Sequence, residues 1–362
     1  SLALGATVIS GPSAGADPQQ FKAFSGFGSD TTQDVLNGLS GFANGVNYTP
    51  VQSSLASGKR QLTSWDAVGT PCVTPKAPGA TFTRPNGSSN GRKALSRAID
   101  GANWGAADCV AKPVSGLVDF ARSSAGPSST ATTELTYIPF GRDALSFAWY
   151  ANGVATPVTT LTSAQLFSLF TTGPQTIGGV EIVPCGIQTG SGTYQFWNQA
   201  LGISAGQEAT GTASCNPTAA DRLQENDGNA LKLKGDARVG KQVIVGFSAA
   251  NFISQKNGVA ASQLPAGVDL GAIDALGQPY SGTAPNTVPS SSFYASTTYG
   301  RDVYNVVPTA KIGGLPAANQ DYKTMFVGST SAVCSATTTI QAFGFLSLGA
   351  NCGTTTLQGS LM

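Results

Sequence analysis

Short apolar runs alternate along this chain with segments that carry apolar residues at helical spacing. Residues 180–184 are typical of a buried strand, and Tyr194, Trp197 and Leu201 follow them on one helix face. Other strand-like runs are 135–140, 144–150, 242–247, 303–307 and 342–348. Other helical patterns are 35–42, 94–99 and 161–170. Alternating strands and helices predict an α/β protein.

Turns rich in Gly, Ser and Thr interrupt these segments at four places. They are residues 24–33, 84–92, 119–126 and 190–193. A helix that begins at such a turn presents unpaired backbone N–H groups and the positive end of its dipole. Glycines let a ligand approach the backbone, and hydroxyls add donors. Together the turns predict a cradle for a small oxyanion or carboxylate, whereas any one of them alone is equally typical of an ordinary helix cap.

Two of these turns carry charged side chains. Asp30 lies among the capping residues of the first turn. Arg122 is flanked by hydroxyl residues in the third turn, which favours binding of an anion in the cradle. The alternative for Arg122 is a solvated surface arginine.

Composition excludes several functional classes. Charged residues make up 11% of the chain and the net charge is +1, which argues against a nucleic-acid surface. The chain has no histidine, so Ser-His-Asp hydrolysis and the commonest metal ligand are absent. The sequence contains no CxxC pair, which would suggest a zinc site, and no SxxK motif, which would suggest serine–lysine chemistry. We therefore expect no enzymatic activity, no cofactor and no bound metal.

The six cysteines are widely separated in a chain of low charge. An even number in such a chain favours disulfides formed in an oxidising compartment. The sequential pairing closes the shortest loops and would join Cys72 to Cys109, Cys185 to Cys215 and Cys334 to Cys352. Free buried thiols are the alternative.

Residues 1–16 have two interpretations. They resemble the end of a secretory signal, with an apolar stretch and a small-residue Ala14-Gly15-Ala16 pattern before Asp17. If they remain in the mature protein, they form an N-terminal arm through which copies of the chain could assemble. No run of about 20 apolar residues predicts a membrane span.

Taken together and in this order, the motifs resemble the phosphate-binding subunit of bacterial phosphate ABC transporters, within the type II periplasmic binding-protein fold. The matching motifs are Gly28 to Gln33, Arg84 to Ser88, Asp119 to Ser124, Leu161 to Phe167, Gly190 to Thr193 and Tyr304 to Pro308. The resemblance implies two lobes, each a mixed sheet flanked by helices. Lobe 1 would comprise 17–138 and 290–362, and lobe 2 would comprise 139–289.

The resemblance also implies the binding groups and the function. By position, the groups would be Ser29, Asp30, Thr31, Thr32, Ser88, Ser123, Ser124, Ser191, Gly192 and Thr193. Ser124 stands where the family has an aspartate that accepts a proton from phosphate, and Ile187 or Gln188 stands where it has an arginine. Asp30 and Arg122 are candidates to replace these two functions.

The expected function is that of an extracytoplasmic solute-binding protein for phosphate or a similar oxyanion, with an ABC transporter permease as candidate partner. It would be secreted, extracellular or on the cell surface, and periplasmic if the source has an outer membrane. The alternative is a secreted structural or surface-assembly protein that keeps the fold without transport.

Overall fold

The computed structural model describes residues 17–18, 21–53, 60–105, 109–314 and 317–362. Within these ranges the largest element is a ten-stranded mixed sheet. Its strands are β1 (Phe24–Gly28), β2 (Leu62–Ser64), β3 (Phe120–Ser123), β4 (Leu135–Asn152), β5 (Gln175–Ile177), β6 (Val180–Pro184), β7 (Lys241–Ser248), β8 (Asp269–Leu270), β9 (Gly300–Pro308) and β10 (Gln358–Gly359).

Helices flank this sheet. Those of eight or more residues are α1 (Gln33–Ser40), α2 (Gly87–Asp100), α3 (Ser163–Thr172), α4 (Gly192–Leu201), α5 (Gly228–Asp236), α6 (Ala249–Lys256) and α7 (Ala317–Phe326). Shorter helices are Ser291–Tyr294, Thr309–Ile312, Ala332–Ser335 and Thr337–Ala342. The small paired strands are Phe42–Ala43 with Val46–Asn47, Cys72–Val73 with Phe82–Thr83, Asn103–Trp104 with Lys112–Pro113, Thr160–Leu161 with Ala272–Ile273, and Tyr280–Ser281 with Val288–Pro289. The predicted α/β class is confirmed.

The order of the main path through the sheet is β5-β6-β7-β4-β9-β3-β1-β2. The long strand β4 joins its two halves, because residues 135–144 pair antiparallel with β9 and residues 145–152 pair antiparallel with β7. On one side β9 continues to β3, β1 and β2, and on the other β7 continues to β6 and β5. The strands β4 and β9 therefore run through the centre of the molecule.

The buried apolar residues divide along the same line. Nearly all those of residues 24–140 and 303–361, which we call region 1, form two clusters against β1, β3 and β9. Those of residues 144–299, which we call region 2, form another cluster around β4, β6 and β7. Each region thus has its own apolar core, so the contacts between the regions can be polar.

Several local predictions can be compared with the structure. The runs 135–140 and 144–150 are parts of the single strand β4, which has a register shift between Pro139 and Gly141. The strand predicted over 342–348 is wrong, since helix Thr337–Ala342 ends there and only a bridge at Leu346 follows. The third turn is shorter than predicted, because residues 120–123 belong to strand β3.

All three predicted disulfides are present: Cys72–Cys109, Cys185–Cys215 and Cys334–Cys352. The first and third lie in region 1, and the second ties the end of β6 to the loop before α5 in region 2. Residues 1–16 lie outside the described residues, and so does the predicted cleavage site. No helix in the described ranges has the length and apolar character needed to cross a bilayer.

Candidate functional site

Helix N-termini from both regions meet between the two cores. Helix α1 begins after the turn that follows β1, α2 begins at Gly87, and α4 begins at Gly192. The hydroxyl of Ser191 accepts a hydrogen bond of 3.1 Å from the backbone N–H of Tyr194, so Ser191 caps α4 as the sequence pattern predicts. The positive ends of helix dipoles are thereby brought to one place.

Three serines of region 1 form one side of this place. Ser29 Oγ donates to Ser124 Oγ over 3.0 Å, and Ser88 Oγ lies 3.4 Å from Ser124 Oγ. The backbone N–H of Ser124 donates to Ser88 Oγ over 3.1 Å. All three serines are fully buried. Three chain segments far apart in sequence therefore place their hydroxyls within hydrogen-bonding distance.

The opposite side is supplied by region 2. Thr193 Oγ1 lies 3.0 Å from Thr31 Oγ1, which joins the first turn of α4 to the turn before α1. Gly192 lies so close to region 1 that a Cβ built on it would be 2.4 Å from both Ser88 Oγ and Ser124 Oγ. Only glycine permits this approach of the two regions.

Arg122 is not part of this group of hydroxyls. Its guanidinium is fully buried within region 1, where Nε donates to Ser29 O (3.0 Å) and Nη1 donates to Ser64 Oγ (2.8 Å) and Trp65 O (2.7 Å). Burial lowers the pKa of Arg122 to about 10. The prediction that Arg122 supplies the main positive charge of the cradle is wrong, because its donors hold the backbone around β1 and β2.

Two other predicted residues are also set apart. Ser123 Oγ donates to Ala125 O over 2.7 Å and so stabilises its own turn. Thr32 is the N-cap residue of α1, yet its buried Oγ1 makes no hydrogen bond within the described part of the chain. The residues that do converge are Ser29, Thr31, Ser88, Ser124, Ser191, Gly192 and Thr193, with Asp30 at their edge.

Arg301, and not Arg122, is the arginine whose guanidinium contacts the hydroxyls of the cradle. Its Nη2 donates to Thr193 Oγ1 (3.0 Å) and Thr31 Oγ1 (3.4 Å), and its Nη1 donates to Ser124 O (2.9 Å). An ion pair of 2.9 Å joins it to Asp143, and the side chains are 2% and 0% exposed. A buried positive charge thus stands beside the hydroxyls of both regions.

A repeated tripeptide positions this ion pair. Gly141-Arg142-Asp143 lies on β4 and Gly300-Arg301-Asp302 lies on β9. The antiparallel register sets Asp143 opposite Arg301 and Arg142 opposite Asp302, so that each arginine pairs with the other strand's aspartate. The second pair is partly exposed, with side chains 27% and 30% accessible. The repeat was the signal in the sequence that could have revealed Arg301.

Asp143 is itself held by two further donors. It accepts hydrogen bonds from Ser248 Oγ (2.9 and 3.0 Å) and from the backbone N–H of Ala250 (3.0 Å). Both groups lie at the N-terminal end of α6, whose dipole favours a carboxylate there. The ion pair is therefore fixed to the fold at both ends, which orients Arg301 toward the hydroxyls.

The carboxylate of Glu225 lies within this site. Its Oε1 accepts from the backbone N–H of Asp30 over 3.2 Å. Its Oε2 accepts from the Ser191 hydroxyl, from Thr31 Oγ1 (3.4 Å) and from the backbone N–H of Thr193 (3.4 Å). Glu225 is 1% exposed. Two of the four predicted turns, the first and the fourth, thus bind a carboxylate, one that belongs to the chain and that sequence reasoning missed.

Asp30 stands against this carboxylate. Burial, and then the negative charge of Glu225, raise the pKa of Asp30 well above its usual range, although Asn226 and Gln224 donate hydrogen bonds to it. A raised pKa extends the pH range over which this carboxyl is in its protonated form. In that form Asp30 offers a proton rather than accepting one, which argues against it as a replacement for the aspartate absent at Ser124.

No protein-family model and no curated protein sequence matches the chain. Among solved structures, it is similar to an ABC-type phosphate transport receptor from Vibrio cholerae, with 15% identity and a TM-score of 0.47 over 89% of this chain and 99% of that one. A putative phosphate ABC transporter substrate-binding protein with bound phosphate from Clostridium perfringens is 12% identical, with a TM-score of 0.48 over 90% and 99% of the two chains. A phosphate-binding protein from Stenotrophomonas maltophilia is 14% identical, with a TM-score of 0.44 over 91% of each. Similarity at this level does not identify a ligand for this chain.

Proposed function

We propose that this protein is a non-enzymatic solute-binding protein that holds phosphate or a similar small oxyanion between two lobes, 17–138 with 290–362 and 139–289. The observation that carries the proposal is the cradle between the two cores. It joins backbone N–H groups of Asp30 and Thr193 to hydroxyls from both regions, and Glu225 demonstrates that an oxyanionic group fits these donors. Helix N-termini hold anions in this way with little formal charge.

Arg301 is the charged group of the proposed site. Its guanidinium is anchored by Asp143 and by Ser124 O and lies over the Phe196 ring. Within the described part of the chain, its remaining hydrogen bonds go to the two threonine hydroxyls that face each other across the regions. An anion that replaces a threonine hydroxyl as the acceptor would gain a charge-assisted hydrogen bond. The lobes would then close on an anion bound to both.

The partly polar boundary of the lobes suits opening and closing. Besides the cradle, it includes hydrogen bonds from Gln188 to Asn86 (3.1 Å), from Gln195 to Ser89 (2.6 Å) and from Ser89 N–H to Gly190 O (3.1 Å). Water replaces such bonds at modest net cost. Among the described residues, β4 and β9 are the strands of the main sheet that connect the two cores, and bending there would separate the lobes.

The three disulfides support a location outside the cytoplasm, in an oxidising compartment. A permease of the ABC transporter class is the partner that the sequence resemblance implies for such a protein. Assembly through residues 1–16 depends on residues outside the described ranges and is not part of this proposal.

Titration calorimetry with phosphate and sulfate, each added to the purified protein, tests the proposal. Arg301→Ala should weaken binding of either anion by about tenfold or more, because charge-assisted hydrogen bonds contribute about 1.5–3 kcal/mol. Asp143 keeps its bonds from Ser248 and Ala250 in this variant but loses its buried counterion, which costs about 3–5 kcal/mol, so circular dichroism and thermal unfolding first establish that the variant is folded. Phosphate and sulfate should bind with similar affinity, since Ser124 replaces the proton-accepting aspartate.

Asp302→Asn is the matched control, because it alters the second ion pair of the same two strands, in which the partner is Arg142. It should leave both affinities unchanged. Equal losses in the two variants would mean that the strands, and not the Arg301 charge, determine binding. Binding of neither anion by the unmodified protein or by any variant would refute the oxyanion function.

A further inference from the structure

The donors of the cradle are already used by the chain itself. Glu225 receives hydrogen bonds from Asp30 and Thr31 in region 1 and from Ser191 and Thr193 in region 2. Among the described residues, no Arg or Lys nitrogen forms an ion pair with its carboxylate. Its charge is therefore balanced by backbone dipoles and hydroxyls, which is how the same site would hold an external oxyanion.

Glu225 also joins the two regions. It belongs to the loop before α5 in region 2, yet two of its four donors belong to region 1. Its neighbours extend the same contact, since Asn226 donates to Asp30 (3.1 Å) and Thr31 (3.2 Å), and Gln224 donates to Asp30 (3.3 Å). A ligand that bridges two lobes stabilises their closed arrangement, and Glu225 makes the contacts of such a ligand.

The backbone that carries Glu225 is fixed on both sides. Leu223 exchanges backbone hydrogen bonds with Gly186 (2.9 Å) and Gln188 (3.0 Å), and Asn226 O accepts from Gln255 over 3.0 Å. The backbone at Glu225 therefore need not move to free the donors of the cradle. Rotation of the Glu225 side chain, together with separation of the two regions, would free them.

From these contacts we propose that Glu225 is an internal carboxylate ligand of the cradle, which an external oxyanion must displace in order to bind. The proposal rests on the oxyanion function proposed for this site. A tethered competitor reduces the apparent affinity by the fraction of molecules in which the site is free. Glu225 then sets the anion concentration at which the protein responds.

Two variants remove the competitor, and one surface change serves as the control. Glu225→Gln keeps the size of the side chain but turns one oxygen into an amide donor facing other donors. Glu225→Ala empties the space. Glu181→Gln makes the same charge change at an exposed ion pair with Lys241 in region 2. Circular dichroism and thermal unfolding identify which variants are folded, and Glu225→Gln carries the test if the alanine variant does not fold.

The probes are acetate, phosphate and sulfate, each titrated calorimetrically. Acetate should bind Glu225→Ala and not the unmodified protein, because it restores the missing carboxylate. Phosphate or sulfate should bind both Glu225 variants at least about tenfold more tightly than the unmodified protein, whereas Glu181→Gln should show no gain.

The outcomes separate this proposal from the oxyanion function. Oxyanion affinities that are equal or weaker in the Glu225 variants, with no acetate binding, would overturn the internal ligand and leave the function intact. Acetate binding by Glu225→Ala without binding of phosphate or sulfate by any form would overturn the function and support the internal ligand. Absence of binding for all three anions in every form would overturn both.

Discussion

The two buried arginines Arg122 and Arg301 differ in where their partners come from. Arg122 donates to carbonyls and one hydroxyl that all belong to β1, β2 and the turns after them, within region 1. Arg301 donates to groups of both regions and pairs with Asp143 on the neighbouring central strand. Full burial is common to both, so burial alone does not distinguish an arginine that holds a fold from one that serves a site. What distinguishes them is whether the hydrogen-bond partners of the arginine come from one region or from both.

The largest effect that this contrast predicts is on stability. Arg122→Ala should lower the free energy of unfolding by about 3–5 kcal/mol, because it leaves buried carbonyls without donors and creates a cavity. Arg97→Ala, which removes a partly exposed ion pair with Asp100, should cost no more than about 1 kcal/mol. Chemical denaturation of the three proteins measures both values.

Anion binding by the two arginine variants tests whether Arg122 holds the fold while Arg301 serves the site. Folded Arg122→Ala should lose less anion affinity than Arg301→Ala does. If Arg122→Ala unfolds like the unmodified protein but binds anions at least about tenfold more weakly, Arg122 would be a binding residue after all.

The contrast also shows what the sequence could predict. The cap at Ser191 and the helix after it were predictable because they depend on residues a few positions apart. The disulfides followed from an even cysteine count and short loops. The pairing of Asp143 with Arg301 joins positions 158 apart in sequence, and Glu225 meets Asp30 across 195 positions. No local pattern encodes such contacts, so hydroxyls flanking Arg122 gave a misleading signal.

A second prediction concerns Gly192, at the contact between the regions. Gly192→Ala places a Cβ against Ser88 and Ser124, so the regions should no longer close fully and anion affinity should fall by about tenfold or more. Stability should change by less than about 1 kcal/mol, because alanine suits the first turn of α4 and Gly192 has no left-handed backbone conformation. Arg122→Ala should show the opposite combination, a large loss of stability with a small loss of anion affinity.

Gly126→Ala is the control for this test. A Cβ at Gly126 meets no heavy atom within 4 Å, and its backbone is likewise not left-handed. Its affinity should match that of the unmodified protein. Equal affinity in Gly192→Ala would mean that the anion binds without the close approach of α4 to Ser88 and Ser124.

The last prediction concerns the pH dependence of stability near Arg122. Burial, and then the negative charge of Asp66, raise the pKa of Asp34 to about 7, against the opposing positive charge of Arg122. In the unfolded chain the carboxyl loses its proton near its usual 3.8, so between these values the folded protein binds more protons. The stabilising contribution of Asp34 is therefore fully present below about pH 3.8 and is lost as pH rises through about 7. Asp34→Asn should flatten the fall in unfolding free energy between about pH 4 and about pH 7, measured by denaturation at a series of pH values. An unchanged slope in Asp34→Asn would mean that Asp34 stays charged in the folded protein with Arg122 as its counterion. Arg122 would then resemble Arg301 in forming a buried ion pair, and the two arginines would differ only in the regions that they join.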